Sequence, residues 1–213
     1  MHLHLVRHGE VHNPEHVVYA ALDGYRLSAL GRKQAVEAGE HLADAPVSVV
    51  VSSPLERAMQ TASAIAFRHD LEPEIEPNLT EWGLATRWAG VVWENLHEVF
   101  PGELEAYLAH PHDLPFSPES ISEVALRMTI AADKWSLNAS GDVVLVAHQD
   151  PVQALRLSLT GRSLDRLLDA KPGHASVTTL RRSGSAWEEI AYWEPDGSEF
   201  PPTTPSVKPV DSV

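Results

Sequence analysis

The chain of 213 residues contains no cysteine, so it has neither disulfides nor thiolate metal ligands available to it. This composition is typical of a reducing compartment, and we expect a cytoplasmic location. No apolar run approaches the roughly 18 residues that a membrane helix needs. The N-terminus also lacks a basic region followed by a long apolar stretch. We therefore expect neither a membrane anchor nor a signal peptide.

Positive charge is scarce as well, because 16 Lys and Arg residues stand against 30 Asp and Glu residues and give a formal net charge of −14. A protein with this charge is repelled by nucleic acid and by anionic membrane surfaces, so neither is an expected partner. We expect most of the acidic excess to keep the protein soluble. Any anionic ligand would require cations that are concentrated locally.

Strand-like and helix-like segments alternate along most of the chain. β-Branched and apolar runs predict buried strands, and amphipathic stretches predict helices between them. We expect strands at 2–7, 47–52, 73–79, 143–147, 175–181 and 186–193, and helices at 28–44, 54–68, 119–138 and 151–159. This order predicts an α/β protein with three α/β/α layers around a mostly parallel central sheet.

Two segments depart from this regular pattern. Residues 84–118 are rich in tryptophan and proline, and we interpret them as an irregular lid over the strand ends with two short helices. The tail that starts at Phe200 has four prolines and is predicted to be mobile. We therefore predict a single domain over residues 1–199 and a proline-rich tail over 200–213.

Polar and charged side chains follow three of the predicted strands. Arg7 and His8 end the first strand, Ser52 and Ser53 end the second, and His148 follows the fourth. Ligands of parallel α/β sheets bind at the carboxyl ends of the strands, so we expect these side chains to share one site.

The helix after the second strand begins with a capping signal. Ser53 as N-cap, Pro54 at the first helical position and Glu56 at the third form a predicted capping box. Arg57 then lies in the first turn, where the helix dipole favours an anion. With His8 and the other strand-end residues, this arginine predicts a site that holds and transfers a phosphoryl group.

Covalent phosphoryl transfer needs a nucleophile, charge neutralisation and an acid for the leaving group. A neutral His8 imidazole can attack phosphorus and form a phosphohistidine. Flanking arginines bind the phosphoryl oxygens and disfavour protonation of the ring. A lone histidine after a strand is more often structural, but the context Arg7-His8-Gly9-Glu10 favours the catalytic interpretation.

Four segments, in the right order, resemble the signature of the histidine phosphatase superfamily, also called the phosphoglycerate mutase-like family. They are Leu5-Val6-Arg7-His8-Gly9-Glu10, Ser52-Ser53-Pro54-Leu55-Glu56-Arg57-Ala58, Leu79-Thr80-Glu81-Trp82-Gly83 and Val144-Leu145-Val146-Ala147-His148. The resemblance covers roughly residues 3–195.

The resemblance implies a role for each of these residues. His8 is phosphorylated, and Arg7, Arg57 and His148 bind the transferred phosphoryl group. Glu81 donates a proton to the leaving oxygen and then activates the water that hydrolyses the intermediate. Membership of the hydrolytic branch implies neither a metal nor an organic cofactor. It implies that the protein binds a small phosphorylated substrate.

The sequence departs from the family pattern at several positions, and three of them concern the predicted site. Asn13 lies five residues after the nucleophile, where the family often has an asparagine at six, and we predict it as a phosphate contact. Gln149 replaces a small residue after the second histidine and can offer its backbone N–H to an oxyanion. Asp150 brings a carboxylate to the anion site, which disfavours highly anionic substrates if it points inward.

Mutases and phosphatases share these residues, so phosphoglycerate mutase-type transfer is the alternative reaction. The predicted lid contains one arginine, Arg87, no lysine and several acidic residues, which suits a bisphosphorylated intermediate poorly. Hydrolysis of a small phosphate monoester is therefore favoured. A non-catalytic member that binds a phospho-ligand or a protein is the alternative from another class, and a homodimer is compatible with the sequence.

The twelve histidines also raise a metal-binding hypothesis. His2 and His4 share one face of a strand, but no acidic cluster or Cys/His spacing of a zinc site accompanies them, and we expect no metal site. Trp82, Trp88 and Trp93 fit either a substrate pocket or the small core of the lid.

Overall fold

A computed structural model describes residues 1–184 and 186–196. Its strands are β1 (His2–Arg7), β2 (Val47–Ser52), β3 (Glu74–Ile75), β4 (Asp142–Ala147), β5 (Val177–Ser183) and β6 (Ala186–Trp193). Its helices are α1 (Ala29–His41), α2 (Glu56–Phe67), α3 (Gly83–Arg87), α4 (Leu96–Val99), α5 (Glu103–Ala109), α6 (Ile121–Leu137) and α7 (Gln149–Leu159). The predicted α/β class is confirmed, whereas the predicted tail 200–213 lies outside the described residues.

The six strands form one sheet in the order β3-β2-β4-β1-β5-β6. The first four of these strands are parallel to one another, and β5 and β6 run antiparallel to their neighbours. All six residues of the central strand β4 are buried. This burial is expected for a continuous apolar strand in a parallel sheet that is covered on both faces.

Helices cover both faces of the sheet. Successive side chains of a strand point to opposite faces, so Leu5 and Val6 of β1 enter different cores. Helices α1 and α2 pack over the core that contains Val6, Val50, Ile65 and Val144. Helices α6 and α7 pack over the core that contains Leu3, Leu5, Met128, Leu145 and Leu155.

The third predicted strand is much shorter than the sequence indicated. It ends at Ile75, because the Glu76 side chain accepts a hydrogen bond from the Asn78 amide at 3.2 Å and Pro77 begins a short 3-10 turn. Proline fixes its own φ and cannot donate to a sheet ladder, so it starts the turn. The chain therefore leaves the sheet six residues before Glu81.

The segment 84–118 contains parts of three α-helices, where two were predicted. Pro101 and Gly102 separate α4 from α5, and Gly102 adopts a left-handed φ of 80° that lets the chain turn. Trp82 and Trp88 are buried in the core, with Trp93 packed against it. The structure therefore supports a core role for these tryptophans, and the core they join is the one shared with β1 and α6 rather than a separate core of the lid.

Candidate active site

The parallel register of β1, β4 and β2 brings their carboxyl ends to one edge. The His8 amide donates to the Ala147 carbonyl at 3.0 Å, and the Ser53 amide donates to the Val146 carbonyl at 2.9 Å. His148 follows Ala147 directly and is fully buried. The three strand ends therefore meet at one site, as predicted.

Two glycines allow the chain after β1 to pack directly on helix α1. A Cβ on Gly9 would lie 2.5 Å from the Gly31 carbonyl oxygen, and a Cβ on Gly31 would lie 1.9 Å from the Glu10 carbonyl oxygen. Both contacts are far too short for a real side chain. The close packing of this turn holds His8 at the end of β1.

The His8 ring is buried and its tautomer follows from its contacts. Its Nδ1 lies 2.8 Å from the Gly9 carbonyl oxygen, which only accepts, so Nδ1 carries the proton. Its Nε2 accepts a hydrogen bond from Arg57 Nε at 3.2 Å. Burial, followed by the charges of Arg57 and its neighbours, lowers the pKa of His8 well below its ordinary value of 6.5. The ring is neutral, with the Nε2 lone pair facing the Arg57 guanidinium.

Arg57 links the two histidines from the first turn of α2. One terminal nitrogen, Nη2, donates to the Ala20 carbonyl at 2.7 Å and lies 3.1 Å from His148 Nδ1. The guanidinium also stacks over the Tyr19 ring, with its carbon 4.7 Å from the ring centroid. Because the side chain is only 1% exposed, its charge acts on the site with little screening by solvent.

Arg7, the last residue of β1, contacts α7 and the loop before β5. Its Nη1 donates to Gln149 Oε1 at 2.6 Å and to the Pro172 carbonyl at 3.0 Å, while Nη2 lies 2.7 Å from His174 Nε2. Gln149 thus uses its side chain to hold Arg7, a contact that the sequence did not suggest. The buried Arg7 Nε has no hydrogen-bond partner in the described residues.

Ser53 does not cap helix α2, and this prediction is wrong. The helix begins at Glu56 after Leu55, without a side-chain cap. The Ser53 hydroxyl instead lies 2.8 Å from His148 Nε2 and accepts a longer bond from the Leu55 amide at 3.3 Å. A polar bond to a buried ring competes with local capping, and here it fixes the His148 ring.

Glu81 lies beside the Arg57 guanidinium and the His148 ring. Its Oε2 is 3.7 Å from Arg57 Nη2 and 3.7 Å from His148 Nδ1, and its Oε1 accepts from the Trp82 amide at 2.9 Å. Burial raises the pKa of Glu81 above its usual value, although Arg57 opposes the shift. A carboxyl group that retains its proton at higher pH is suited to general acid catalysis.

Asn13 and Asp150 are engaged with other parts of the chain. Both ends of the Asn13 amide bond to the backbone of Val17, at 2.9 and 3.1 Å. Asp150 Oδ1 lies 2.9 Å from Lys171 Nζ, and its Oδ2 accepts from the Tyr107 hydroxyl at 3.2 Å. The Asp150 charge is therefore balanced by Lys171, and a phosphate contact of Asn13 remains a prediction.

The two histidines of the metal-binding hypothesis lie at the other end of the sheet, beside a carboxylate. His2 and His4 both approach Asp142 Oδ2, at 3.1 and 3.4 Å. In residues 1–184 and 186–196, no group of three or more His, Asp or Glu side chains is arranged to hold a metal ion. No helix in the same part of the chain is long and apolar enough to cross a membrane.

His174 is the main site residue that sequence reasoning missed. It lies in the loop before β5, with its ring centroid 6.0 Å from that of His8. Burial, then the charge of Arg7, lowers the pKa of His174 well below 6.5. Little in the sequence indicated this role, because His174 precedes a strand instead of following one. It reaches the site because β5 runs antiparallel to β1, so that the start of β5 lies beside the end of β1.

This fold and site define an α/β protein with a cluster of histidines and arginines at the strand ends. A family model described as histidine phosphatase superfamily (branch 1) matches residues 3–194. The chain therefore belongs to the histidine phosphatase superfamily, as its motifs predicted.

Relatives and solved structures agree with this assignment. An uncharacterized protein of Mycobacterium tuberculosis is 40% identical over 203 residues, covering 91% of this chain and 96% of that protein. Phosphoserine phosphatase 1 of Hydrogenobacter thermophilus is 30% identical over 183 residues, with coverages of 83% and 84%. The native structure of mycobacterial glucosyl-3-phosphoglycerate phosphatase is similar with a TM-score of 0.78 at 28% identity, covering 89% of this chain and 96% of that one.

Proposed function

We propose that this protein is a phosphatase that hydrolyses a small phosphate monoester through a phosphohistidine on His8, with Glu81 as proton donor. The observation that carries the proposal is the orientation of the His8 ring. Its Nδ1 donates to the Gly9 carbonyl, so the Nε2 lone pair faces the Arg57 guanidinium. A neutral nitrogen beside fixed cations is the arrangement that attack on a phosphoryl group requires.

The first step transfers the phosphoryl group to the enzyme. His8 Nε2 forms a bond to phosphorus while the bond from phosphorus to the ester oxygen breaks. The Glu81 proton moves to the departing oxygen, which leaves as an alcohol. Arg7 and Arg57 stabilise the charge on the three remaining oxygens, and a bidentate arginine contact is the strongest form of such stabilisation.

The second step returns the enzyme to its starting state. Glu81, now a carboxylate, takes a proton from a water molecule, and the water oxygen bonds to phosphorus. The bond from phosphorus to Nε2 breaks, its electrons return to His8, and inorganic phosphate leaves. One carboxyl group therefore serves first as acid and then as base. Attack by water resembles the reverse of the departure of the alcohol, so the group that protonates the alcohol oxygen can deprotonate the water.

The charge of the lid favours hydrolysis over mutase-type phosphoryl transfer. Arg87 is the one arginine of the segment 84–118, and its guanidinium makes three bonds of 2.6 to 3.1 Å to the Glu103 carboxylate. That ion pair leaves the lid without an uncommitted arginine or lysine for a second phosphate. A mutase must hold a bisphosphorylated intermediate, so a lid of this charge favours a substrate with one phosphate.

The named relatives suggest the first substrates to assay. Phosphoserine and glucosyl-3-phosphoglycerate are the monoesters in their names. Both are small molecules with one phosphate, in keeping with a lid whose one arginine is bound to Glu103. We propose that the natural substrate belongs to this class of monoester.

Trapping of the phosphoenzyme tests the proposal. Wild type, His8→Ala and Glu81→Gln are incubated with radiolabelled phosphoserine, and then quenched in acid or base. We expect an acid-labile, base-stable label in the wild type and none in His8→Ala. In Glu81→Gln the label should form more slowly, because phosphoserine needs an acid, and should also be lost more slowly in a chase with unlabelled substrate, because the hydrolysis of the intermediate slows.

His12→Ala is the matched control, since His12 lies four residues further along and is exposed. It should be labelled like the wild type. Equal labelling of His8→Ala and wild type would overturn the role of His8. Absence of label and turnover across a panel of monoesters, together with measurable phosphate binding, would instead identify a non-catalytic member of the fold.

A further inference from the structure

The loop that carries Glu81 has little regular structure of its own. It follows the 3-10 turn at Pro77–Leu79 and precedes α3, which begins at Gly83. Glu81 must nevertheless meet a leaving oxygen within hydrogen-bond distance, and misplacement of a reacting group by 1 Å can cost about 100-fold in rate. Some other part of the fold must therefore fix this loop.

Helix α6 supplies that support through Arg127. One nitrogen of its guanidinium, Nη1, donates to the Asn78 carbonyl at 2.6 Å and to the Thr80 carbonyl at 2.9 Å. The other, Nη2, donates to the carbonyl of Glu81 itself at 3.2 Å. A single planar side chain therefore satisfies three carbonyl groups of the loop, and one of them belongs to the proposed acid.

Glu119 holds the remaining edge of the same guanidinium. Its Oε1 accepts from Arg127 Nε at 2.6 Å, and its Oε2 accepts from Nη2 at 3.2 Å. The same Oε2 also accepts from the Gly83 amide at 3.1 Å, and the Glu119 carbonyl accepts from Trp82 Nε1 at 2.7 Å. The backbone is thus held on both sides of Glu81, before it by Arg127 and after it by Glu119.

These contacts also join the two ends of the lid. The segment 84–118 starts just after Gly83 and ends just before Glu119, and the Gly83–Glu119 bond closes its base. A Cβ on Gly83 would lie 3.1 Å from Glu119 Cβ, so the two backbones approach closely. The position of Glu81 is therefore set at the base of the lid.

We propose that Arg127, held by Glu119, is the positioning residue for the acid Glu81 and sets the efficiency of leaving-group protonation. This inference rests on the proposed function. Arginine suits the task because its rigid fork presents several N–H groups at fixed angles, whereas lysine offers one compact, rotatable ammonium group.

The test compares two esters that differ in their need for an acid. Phosphoserine has an alkoxide leaving group that requires protonation, whereas the leaving group of dinitrophenyl phosphate requires almost none. In both cases kcat/KM reports only the steps through cleavage of the ester bond. We expect Arg127→Met to lower kcat/KM roughly 10- to 100-fold for phosphoserine and less than about threefold for dinitrophenyl phosphate.

A double-mutant cycle separates positioning from general damage. In a Glu81→Gln background, Arg127→Met should cost less than about threefold further with phosphoserine, since the acid is already absent. Additive losses would overturn the proposal. If Glu81→Gln itself shows no dependence on the leaving group, the proposed acid is wrong. If Glu81→Gln shows this dependence and Arg127→Met does not, only the positioning role is wrong.

Lys134→Met is the matched structural control. Lys134 lies on the same helix and binds Glu76 at 2.6 Å, close to the same loop, but makes no contact with the carbonyls of 78–81. It should leave the ratio of the two kcat/KM values unchanged, and an equal change there would overturn the proposal.

Two further variants keep the test informative if Arg127→Met folds poorly, which thermal unfolding would reveal. Glu119→Gln keeps an acceptor for the Gly83 amide but removes the charge that holds Arg127. It should also lower kcat/KM more for phosphoserine than for dinitrophenyl phosphate, but by a smaller factor than Arg127→Met does. Arg127→Lys should recover only part of the lost rate. Full recovery would mean that the charge alone suffices, and would contradict positioning by the fork.

Discussion

The Ser53 hydroxyl lies 2.8 Å from Nε2 of His148, and both side chains are fully buried. Because this contact occupies one ring nitrogen, the other nitrogen, Nδ1, faces Arg57 and Glu81. A serine just after β2 therefore fixes which edge of the His148 ring faces Arg57 and Glu81, where the proposed phosphoryl group would bind. Orientation of a ligand histidine by a second hydrogen bond is a general way to fix its tautomer.

Loss of this hydroxyl should weaken phosphate binding. In Ser53→Ala the His148 ring loses its partner and gains freedom to rotate, and a buried hydrogen bond of this kind contributes about 1–2 kcal/mol. We expect the inhibition constant of inorganic phosphate to rise about 5- to 30-fold, as measured by competition or calorimetry.

Ser52→Ala provides the control, because the Ser52 hydroxyl is equally buried but donates to the Ser53 carbonyl at 2.8 Å and does not contact the histidine. It should change phosphate affinity by less than about twofold. Unchanged phosphate affinity in Ser53→Ala would mean that packing alone orients His148.

The pH dependence of kcat/KM should be a bell on the acidic-to-neutral side. Burial lowers the pKa of His8 and raises the pKa of Glu81, so the active form, with neutral His8 and protonated Glu81, occupies the interval that these shifts open. As pH falls, His8 gains a proton and the rate decreases. As pH rises, Glu81 loses its proton and the rate decreases again. The profile is measured with phosphoserine.

Glu81→Gln identifies the alkaline limb of this profile. The amide does not ionise, so we expect the fall at high pH to disappear while the acidic limb remains. If the alkaline limb persists at the same pH, a group other than Glu81 controls it.

The sequence predicted the parts of the site that lie on regular elements. Apolar β-branched runs located β1, β2 and β4, and the rule that ligands bind at carboxyl ends placed His8 and His148 together. Arg57 was predicted to lie near the start of α2, and it does. Local pattern is sufficient here because a parallel sheet leaves few ways to arrange consecutive strand ends.

Other features depend on contacts between distant segments and were not visible in the pattern. Ser53 has the local signature of a helix cap, but a tertiary bond to His148, 95 residues away, replaces it. Arg127 looks like an ordinary charged residue of an amphipathic helix until the loop at 78–81 folds against it. His174 reaches the site only because β5 pairs antiparallel with β1.

His174 should support the binding of the phosphoryl group through Arg7. Its Nε2 accepts from Arg7 Nη2 at 2.7 Å, which requires a neutral ring, and burial keeps the pKa of His174 low enough for that. In His174→Ala, Arg7 loses an acceptor and becomes less well fixed. A hydrogen bond to a charged group contributes about 1.5–3 kcal/mol. Because Arg7 keeps its bonds to Gln149 and Pro172, we expect only part of this to be lost, and kcat/KM for phosphoserine to fall about 5- to 10-fold.

The size of the loss with dinitrophenyl phosphate checks this role. Because the proposed role of Arg7 is to bind the phosphoryl oxygens and not the leaving group, His174→Ala should affect both esters equally. His110→Ala, an exposed histidine of the lid, is the control and should affect neither. A loss confined to phosphoserine would assign His174 to the leaving group instead.

Asp142 should link stability to pH at the opposite end of the sheet. Its carboxylate accepts from the His2 amide at 2.6 Å and lies 3.1 Å from His2 Nδ1. Burial alone would raise the pKa of Asp142, but these bonds from His2 bring it below the usual value of 3.8. A carboxyl group whose pKa is lower in the folded state stabilises the fold above its unfolded pKa, and the effect disappears as pH falls through the folded value.

Asp142→Asn should therefore lower the free energy of unfolding by about 1–3 kcal/mol at neutral pH, and by progressively less as the pH falls below the ordinary value for aspartate. Urea denaturation across this range measures the difference. His4 Nε2 lies 3.4 Å from the same carboxylate, so the comparison is repeated in a His4→Gln background. The exposed Asp133→Asn should show no such difference, and a loss at Asp142 that is independent of pH would assign its contribution to neutral hydrogen bonding rather than to charge.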